Sequence, residues 1–496
     1  MVALLAHALV LAAVADALVA PTRPRRSRVA RGAGGDGPLL SVPIPGSASA
    51  TLQVPGFAAQ RALLEALVEE SRDVPPLAAL RRSAALNAAV AKTAAKVLRD
   101  PAAASAPRAT RELFEELGAT FVKLGQLVAS SPTLFPEAWT TEFEKTLDGA
   151  PPVPYATVKR VVEASLGTTI AAAFSTFDEA PLATASVAQV HAATLRNGDR
   201  VVVKVLKPGV RDTLTADLVF LNGAAKILEA VAPETKRVSL ADVAAQLRDS
   251  TLQELDLREE ARRLRSFRGF LAASGLDQAA TCPLPYEDLS SKEVLTMTRL
   301  DGSRLVDADA SNPASEAAVA TVIRTWARSV VEHDFFHADV HGGNVLLLRN
   351  GTVGIIDFGI VGTLPPAVYG AVVDLAVAFN ARPRDYGGIA DALRGMGVAD
   401  GAKFDREKFA GDLRRAFDAV ESNDAAAIVG DVIAVSEDNN LVLPREFGLL
   451  TKQAVYLNRY VTTLAPDLDV FEGDLLGGGG APPAAAGAAA GAAEPE

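Results

Sequence analysis

Cysteine is almost absent from this chain. Cys282 stands alone among 496 residues, which excludes an internal disulfide framework and any metal site built on paired cysteines; its expected place is a buried core. Positive charge is also short. Lys and Arg total 49 against 60 Asp and Glu, a formal net charge of −11, and the isoelectric point is near 5.2, so there is no electrostatic footprint for nucleic acid. Beyond the first segment no apolar run reaches the roughly 18 to 20 residues of a membrane-spanning helix. Hydrophobic residues still make up 49% and charged residues 22%, the balance of a soluble chain with a globular core, although alanine inflates the apolar count. The length admits more than one domain, or a bilobal domain with extensions.

The N-terminus has a pattern of its own. Val2 to Ala20 is apolar and alanine-rich, broken only by His7 and Asp16, and an acid-poor stretch with Arg23, Arg25, Arg26, Arg28 and Arg31 follows. The first part reads as a signal peptide and the second as a transit peptide. Together they resemble the two-part presequence of algae with complex plastids, with cleavage near Ala20–Pro21, but Leu18-Val19-Ala20-Pro21 lacks the aromatic residue that often opens the second part. Secretion and a retained signal anchor are alternatives, and a mitochondrion is the alternative destination. Residues 1–50 are set aside as presequence and linker, and 33–56, rich in Gly, Pro and Ser, read as linker.

Helical patterns then run from Phe57 to about Leu98 and from about Ala109 to Ser130, where Leu113, Phe114, Leu117, Phe121, Leu124 and Leu127 fall on one face. Leu63, Leu64, Leu67 and Val68 make the first of these a candidate for peripheral membrane contact, with core packing as the blander reading. Strand character begins near Phe174 and continues through Arg196-Asn197-Gly198-Asp199 into a strand carrying Lys204. Helical patterns cover Asp212 to Val231 and Ser239 to about Ala273, and a short strand spans Val294 to Met297. Helices resume at Glu316–Glu332 and again from Pro365 to Leu464. The chain divides into a helical extension (51–166), a β-rich segment with inserted helices (167–302), a helical segment (303–476) and a low-complexity tail (477–496).

The most informative stretch is His333 to Gly362. Asp339 and Asn344 stand five positions apart, two apolar runs flank Asn350-Gly351 as a hairpin, and Asp357-Phe358-Gly359 follows. Phosphoryl transfer is mostly positioning and charge neutralisation. One carboxylate must take or orient the nucleophile's proton, which suits Asp339. Mg²⁺ prefers oxygen ligands and keeps waters, which suits Asn344 and Asp357. His333, His337 and His341, at four-residue spacing, would also suit a metal on one helix face, but Gly342 and Gly343 make this a poor helix; His337 is better read as a residue that shapes the loop.

With these pieces in place the chain resembles the ABC1/UbiB (ADCK) family of atypical kinases over roughly Glu112 to Leu464. The motifs, in order, are F-V-K-L-G-Q (Phe121–Gln126), Leu147-Asp148 with Pro151-Pro152, P-L-A-T-A-S (Pro181–Ser186), V-A-Q-V-H, V-V-V-K with Lys204, E-L-D (Glu254–Asp256), E-E-A (Glu259–Ala261), H-A-D-x-H-x-G-N and D-F-G. The resemblance implies an α+β, bilobal protein-kinase-like fold with a small β-rich lobe, a helical lobe and extra N-terminal helices over the active-site face. It implies that Lys204 holds the nucleotide phosphates and pairs with Glu260, and that Lys123, with Gln126 on the same helix face, reaches the site and pairs with Glu254. Ala183, Thr184, Ala185 and Ser186 replace the glycine-rich loop of ordinary protein kinases. Side chains there stiffen the turn and hold it further from the phosphates, which argues against an ordinary protein kinase. Thr184 departs from the usual alanine; its hydroxyl either bonds a phosphate or caps the loop. Val340 and Gly343 stand where the family usually has prolines, so looser loop geometry is expected, and Thr298 stands where the family often has Glu.

The implied activity is an Mg²⁺-dependent kinase or ATPase using ATP (or ADP), supporting prenylquinone metabolism, with prenylquinone lipids or quinone-biosynthesis proteins as partners and a plastid location at thylakoids or lipid droplets. Two other readings stand beside it. One is a nucleotide-gated scaffold or lipid-binding pseudokinase, against which Lys204, Asp339, Asn344 and Asp357 speak. The other is a small-molecule kinase, against which the F-V-K-L-G-Q helix speaks.

Overall fold

The computed structural model of the chain describes residues 40–43, 51–54, scattered positions between 84 and 99, 105–129, 137–143, 145, 152–231, 248, 251–252, 255–333, 335–399, 404–419 and 425–468. The rest of the expected presequence, Leu63, Leu64, Leu67 and Val68, the Leu147, Asp148 and Pro151 positions, Glu254 and the 477–496 tail lie outside these residues. The chain divides into two units, Met1–Ala261 with Pro285–Thr298, and Arg262–Leu284 with Arg299–Glu496.

In the first unit, strands β1 (Leu40–Pro43) and β2 (Thr51–Val54) pair antiparallel, with Leu40 opposite Val54. This corrects the linker expectation for that part of 33–56. Leu and Val alternate with other residues in both strands, the period-two pattern of a pairing strand. The single helix expected from Ala109 is two, α1 (Ala106–Leu117) and α2 (Ala119–Ala129). Gly118 separates them at φ 93, with its N–H donating to the Phe114 carbonyl, a backbone state that glycine adopts without steric cost. The apolar face survives the break. Leu113, Phe114, Leu117 and Phe121 bury together with Trp139 and Phe143 of α3 (Glu137–Phe143). Phe114 meets Phe121 and Phe143 edge-on, with ring centroids 5.6 and 5.4 Å apart, each contact contributing about 0.5–1.5 kcal/mol beyond area burial.

Helix α4 (Tyr155–Leu166) lays Val158 and Val162 on a four-stranded antiparallel sheet. Its strands are β3 (Phe174–Thr184), β4 (Ala188–Leu195), β5 (Arg200–Leu206) and β6 (Val294–Thr298), in that order. Along β5, Val201, Val203 and Val205 are buried while Val202 and Lys204 are only partly so, so Lys204 projects from the face opposite the core. The V-A-Q-V-H motif pins this sheet. Gln189 Oε1 accepts the Val153 N–H at 2.9 Å, and its Nε2 donates to His191 Nε2 at 2.8 Å. That leaves His191 Nδ1–H to donate to the Asp178 carbonyl at 2.8 Å. Helix α5 (Val210–Val231) follows, and Asp217 on it accepts a 2.6 Å bond from the Thr120 hydroxyl of α2.

The long helix expected from Ser239 does not run unbroken to Ala273. Leu255 and Asp256 interrupt it, and α6 (Leu257–Ala273) starts afresh, with the Asp256 carboxylate accepting the Arg258 N–H at 3.2 Å. Aspartate competes for backbone donors in this way and favours helix starts over helix interiors.

In the second unit, Ala280–Thr281 pairs with β9 (Val353–Ile355), which pairs with β8 (Val345–Leu348), which pairs with β7 (Gly302–Arg304). Asn312 caps α7 (Pro313–Glu332), its side chain accepting the Ala314 N–H. Helices α8 (Pro366–Asn380), α9 (Tyr386–Met396), α10 (Arg406–Ala419), α11 (Ala425–Asp438) and α12 (Arg445–Leu464) complete it, around a core that includes Ile389, Leu393, Phe409 and Leu413. The fold is α+β, with a sheet-bearing unit and a mostly helical one. Among the described residues no helix is long and apolar enough to cross a membrane.

Candidate active site

Two groups of side chains carry chemistry. In the first unit, Lys204 sits on β5 between Val190 and Leu295 of the neighbouring strands. Its Nζ donates to both carboxylate oxygens of Glu260, each at 2.9 Å. Side-chain exposure is 12% for the lysine and 4% for the glutamate, so this is a desolvated pair with fixed geometry rather than a surface contact. Glu260 lies on the first turn of α6. The alanine-rich turn is tighter than expected: Ala183 and Thr184 still belong to β3, with Thr184 opposite Gln189. Only Ala185 to Val187 turn, closed by a 2.8 Å bond from Ala185 N–H to the Ala188 carbonyl. A β-branched threonine favours the strand end. Among the described residues the Thr184 and Ser186 hydroxyls make no protein hydrogen bond, and both are half-buried. Lys123 and Gln126 lie on α2, but their side chains, like Glu254, are outside the described residues.

In the second unit, β8 and β9 bring Asn344 and Asp357 to one end of a hairpin. Val345 pairs with Ile355, and the ladder runs one step further through a 2.9 Å bond from Ile356 N–H to the Asn344 carbonyl. The Asn350-Gly351 turn at the other end has Gly351 at φ 83 and Asn350 Oδ1 accepting the Thr352 N–H. Asn344 Nδ2 donates to the Asp339 carbonyl at 3.1 Å. That commits the amide nitrogen and leaves the amide oxygen as an acceptor. Asp357 is exposed and adopts φ 62, a left-handed state that a short polar side chain tolerates, with its Oδ1 accepting the Gly359 N–H at 3.2 Å. Phe358 is buried against Phe267 and His337, both at 4.8 Å. Arg263 Nη1 donates to the Phe358 and Gly359 carbonyls at 3.1 and 2.7 Å, holding the turn from α6.

His337 sets the loop. Its Nδ1 accepts the Asp339 N–H at 3.1 Å, so the proton sits on Nε2, which donates to the Ile356 carbonyl at 3.1 Å. The ring is buried, and burial pushes its pKa below the ordinary histidine value despite the opposing pull of Asp339. His341 Nδ1 accepts the Gly343 N–H at 3.1 Å, while His333 stacks on Phe270 and lies 3.4 Å from Ser266 Oγ. The three histidines therefore do not converge on one point: His333 packs on Phe270, while His337 and His341 meet Asp339 through different atoms, its N–H and its Oδ2.

The expected loosening at Val340 and Gly343 is not what the loop shows. Both N–H groups, which proline would lack, are used: Gly343 donates to His341, and Val340 donates to Gln453 Oε1 at 2.8 Å. Gln453 on α12 is fully buried, and its Nε2 also donates to the Ala338 carbonyl at 2.6 Å. One amide thus clamps the peptide groups on both sides of Asp339. Beside it, Lys452 Nζ lies 3.3 Å from Asp339 Oδ1. Sequence reading did not find Lys452, Gln453 or Arg263. The one local signal was a glutamine in the middle of an apolar helix stripe.

A sheet with a buried lysine–glutamate pair, together with an Asp–Asn loop, hairpin and Asp-Phe-Gly turn, defines a kinase-like chain. The ABC1 atypical kinase-like domain matches residues 145–392, and the chain belongs to that family. An uncharacterized aarF domain-containing protein kinase of Arabidopsis thaliana, whose name carries the word chloroplastic, is 39% identical over 74% of this chain and 73% of its own length. A probable protein kinase UbiB of Marinobacter nauticus is 36% identical over 52% of this chain and 48% of its own. Among solved structures, a Mycobacterium tuberculosis protein in complex with erythromycin aligns with a TM-score of 0.45 at 22% identity, covering 77% of this chain and 98% of that one.

Proposed function

We propose that the chain is an Mg²⁺-dependent, ATP-using kinase or ATPase that supports prenylquinone metabolism in a plastid. The observation that carries the catalytic part is Asn344. Its amide nitrogen is tied to the Asp339 carbonyl, which turns its oxygen into a ligand at the same hairpin end as the exposed Asp357 carboxylate. An amide oxygen and a carboxylate fit a hard cation that keeps several of its waters. Mg²⁺ bound there supplies neutralisation of phosphate charge. On the first unit, Lys204, oriented by Glu260, offers a cation for phosphate oxygens, and the Thr184 and Ser186 hydroxyls, which make no protein hydrogen bond among the described residues, offer donors. Asp339, fixed by His337 and Gln453, receives the proton of the attacking hydroxyl or water. That oxygen bonds to the γ-phosphorus, the bridging P–O bond breaks, and ADP leaves with its electron pair. The quinone role follows from the family resemblance. The plastid location is supported by the two-part N-terminal pattern and by the chloroplastic Arabidopsis relative.

The test is thermal unfolding of the full chain with and without Mg²⁺ and ATP or ADP, beside Asp357→Asn. Ligand binding to the native state alone stabilises by about 2.7 kcal/mol at a hundredfold excess over Kd. The expected result is a metal-dependent shift in the wild type that the variant loses. No shift with either nucleotide, in a folded protein, refutes the enzyme reading and puts the scaffold reading first.

A further inference from the structure

We propose that Lys452, delivered to the loop by α12, is a phosphate-holding residue: one of its N–H groups neutralises Asp339, and the others take equatorial oxygens of the transferred phosphoryl group. The inference rests on the phosphoryl-transfer reading above. It concerns a helix that lies wholly beyond residues 145–392, the span matched by the kinase-like domain.

Three observations converge. The register of α12 on the loop is fixed, not incidental. Gln453 clamps the Ala338 carbonyl and the Val340 N–H, and the Tyr460 hydroxyl, two turns further on, donates to the Val340 carbonyl at 3.4 Å. Lys452, next to that buried clamp, is thereby held 3.3 Å from Asp339 Oδ1. Second, its ammonium has three donors, and among the described residues the bond to Asp339 is its only hydrogen bond, with the Tyr456 ring 5.5 Å away. Third, stability is a weak account of this pair. The side chains are 21% and 26% exposed, so water reaches the pair, and ion pairs open to water typically contribute only about 0.2–1 kcal/mol.

Chemistry gives a stronger account. A hydroxyl that passes its proton to Asp339 must approach within about 2.6–3.2 Å of the carboxylate. A cation bonded to that same carboxylate lies within about two hydrogen-bond lengths of the attacking oxygen when both use one carboxylate oxygen, and only the width of the carboxylate further when they use different ones, so it borders the phosphorus under attack. The loop from His337 to Asn344 contains no lysine or arginine of its own; His341 Nε2 lies 3.7 Å from Asp339 Oδ2, further than Lys452 Nζ is from Oδ1. In phosphoryl transfer, negative charge spreads over three equatorial oxygens. As the acceptor bonds to the γ-phosphorus and the bridging bond breaks, the proton arrives on Asp339 and cancels the charge that held Lys452. The ammonium is then released toward the phosphoryl oxygens when their demand for it is greatest.

The experiment measures binding of Mg²⁺–ADP and of the non-hydrolysable triphosphate Mg²⁺–AMPPNP to the full chain, in wild type, Lys452→Met and Lys452→Arg. Methionine keeps an unbranched stem without the charge. The expected result is a loss of roughly tenfold to a hundredfold for AMPPNP in Lys452→Met, the range of one charge-assisted hydrogen bond. ADP affinity and the ligand-free melting temperature should stay as in wild type, and Lys452→Arg should recover most of the AMPPNP affinity. Equal loss for ADP and AMPPNP, or no loss, in a folded variant overturns the role of Lys452 and leaves the enzyme reading standing. Binding of neither nucleotide by the wild type overturns both. Lys452→Gln carries the same expectation and replaces the methionine chain if that one fails to fold.

Discussion

Replacing Gln453 with leucine isolates the clamp on Asp339. The two side chains are close in size, so the change removes hydrogen bonds without opening a large cavity. It strips partners from the Ala338 carbonyl and the Val340 N–H, on residues each 1% exposed, at a position itself fully buried. Leaving one such group unsatisfied costs about 1–3 kcal/mol, so the pair should cost roughly 2–6 kcal/mol. Trp326 is a local reporter, since its Nε1 donates to the His337 carbonyl at 3.0 Å. In a Trp139→Phe background it is the only tryptophan. Urea unfolding followed by its fluorescence should show a lower midpoint with an unchanged slope. A cost below about 1 kcal/mol would mean that both peptide groups find other partners, and the reasoning that makes α12 part of the loop would fail.

Two further outcomes follow from the buried ionisable groups. Burial lowers the pKa of both His337 and His191. The unfolded chain, with histidines near 6.5, therefore takes up protons before the folded one does. The stability these rings contribute is complete above about pH 6.5 and falls as pH drops below it, by up to about 1.4 kcal/mol per pH unit for each ring. His337→Gln should flatten that slope between pH 7 and 5, and an unchanged slope would sink the assignment. Cys282, with its thiol pushed up to about 12 by burial, should resist a thiol reagent at pH 8 in the native chain and react only on denaturation; rapid native labelling would contradict its place in the core.

What was legible in the sequence was local. The hairpin around Asn350-Gly351, the Lys204 strand and the Asp-Phe-Gly turn each lie within a dozen residues, where turn chemistry and periodicity speak directly. The Lys204–Glu260 partnership spans 56 residues and came from motif resemblance, not from spacing. The break at Gly118 was hidden because the apolar face continues across it, so the period read true while the helix did not. The same limit concealed α12: Lys452 and Gln453 meet the loop across 113 to 115 residues, and nothing in a helix announces which distant peptide groups its one buried amide will bind. The absence of proline at 340 and 343 predicts, on sequence alone, a loss of stiffness. In the fold it means two donors gained, each used.

The position of that clamp sets an order of manufacture. A ribosome adds about 5–20 residues per second, so the 113 residues separating Val340 from Gln453 take roughly 6 to 23 seconds to make. For that interval Asp339, His337 and the Asp-Phe-Gly turn already exist while the peptide groups around Asp339 have no amide to hold them. The growing chain thus carries the parts of its chemistry well before it can keep them in place, and the loop waits for a helix made more than a hundred residues later.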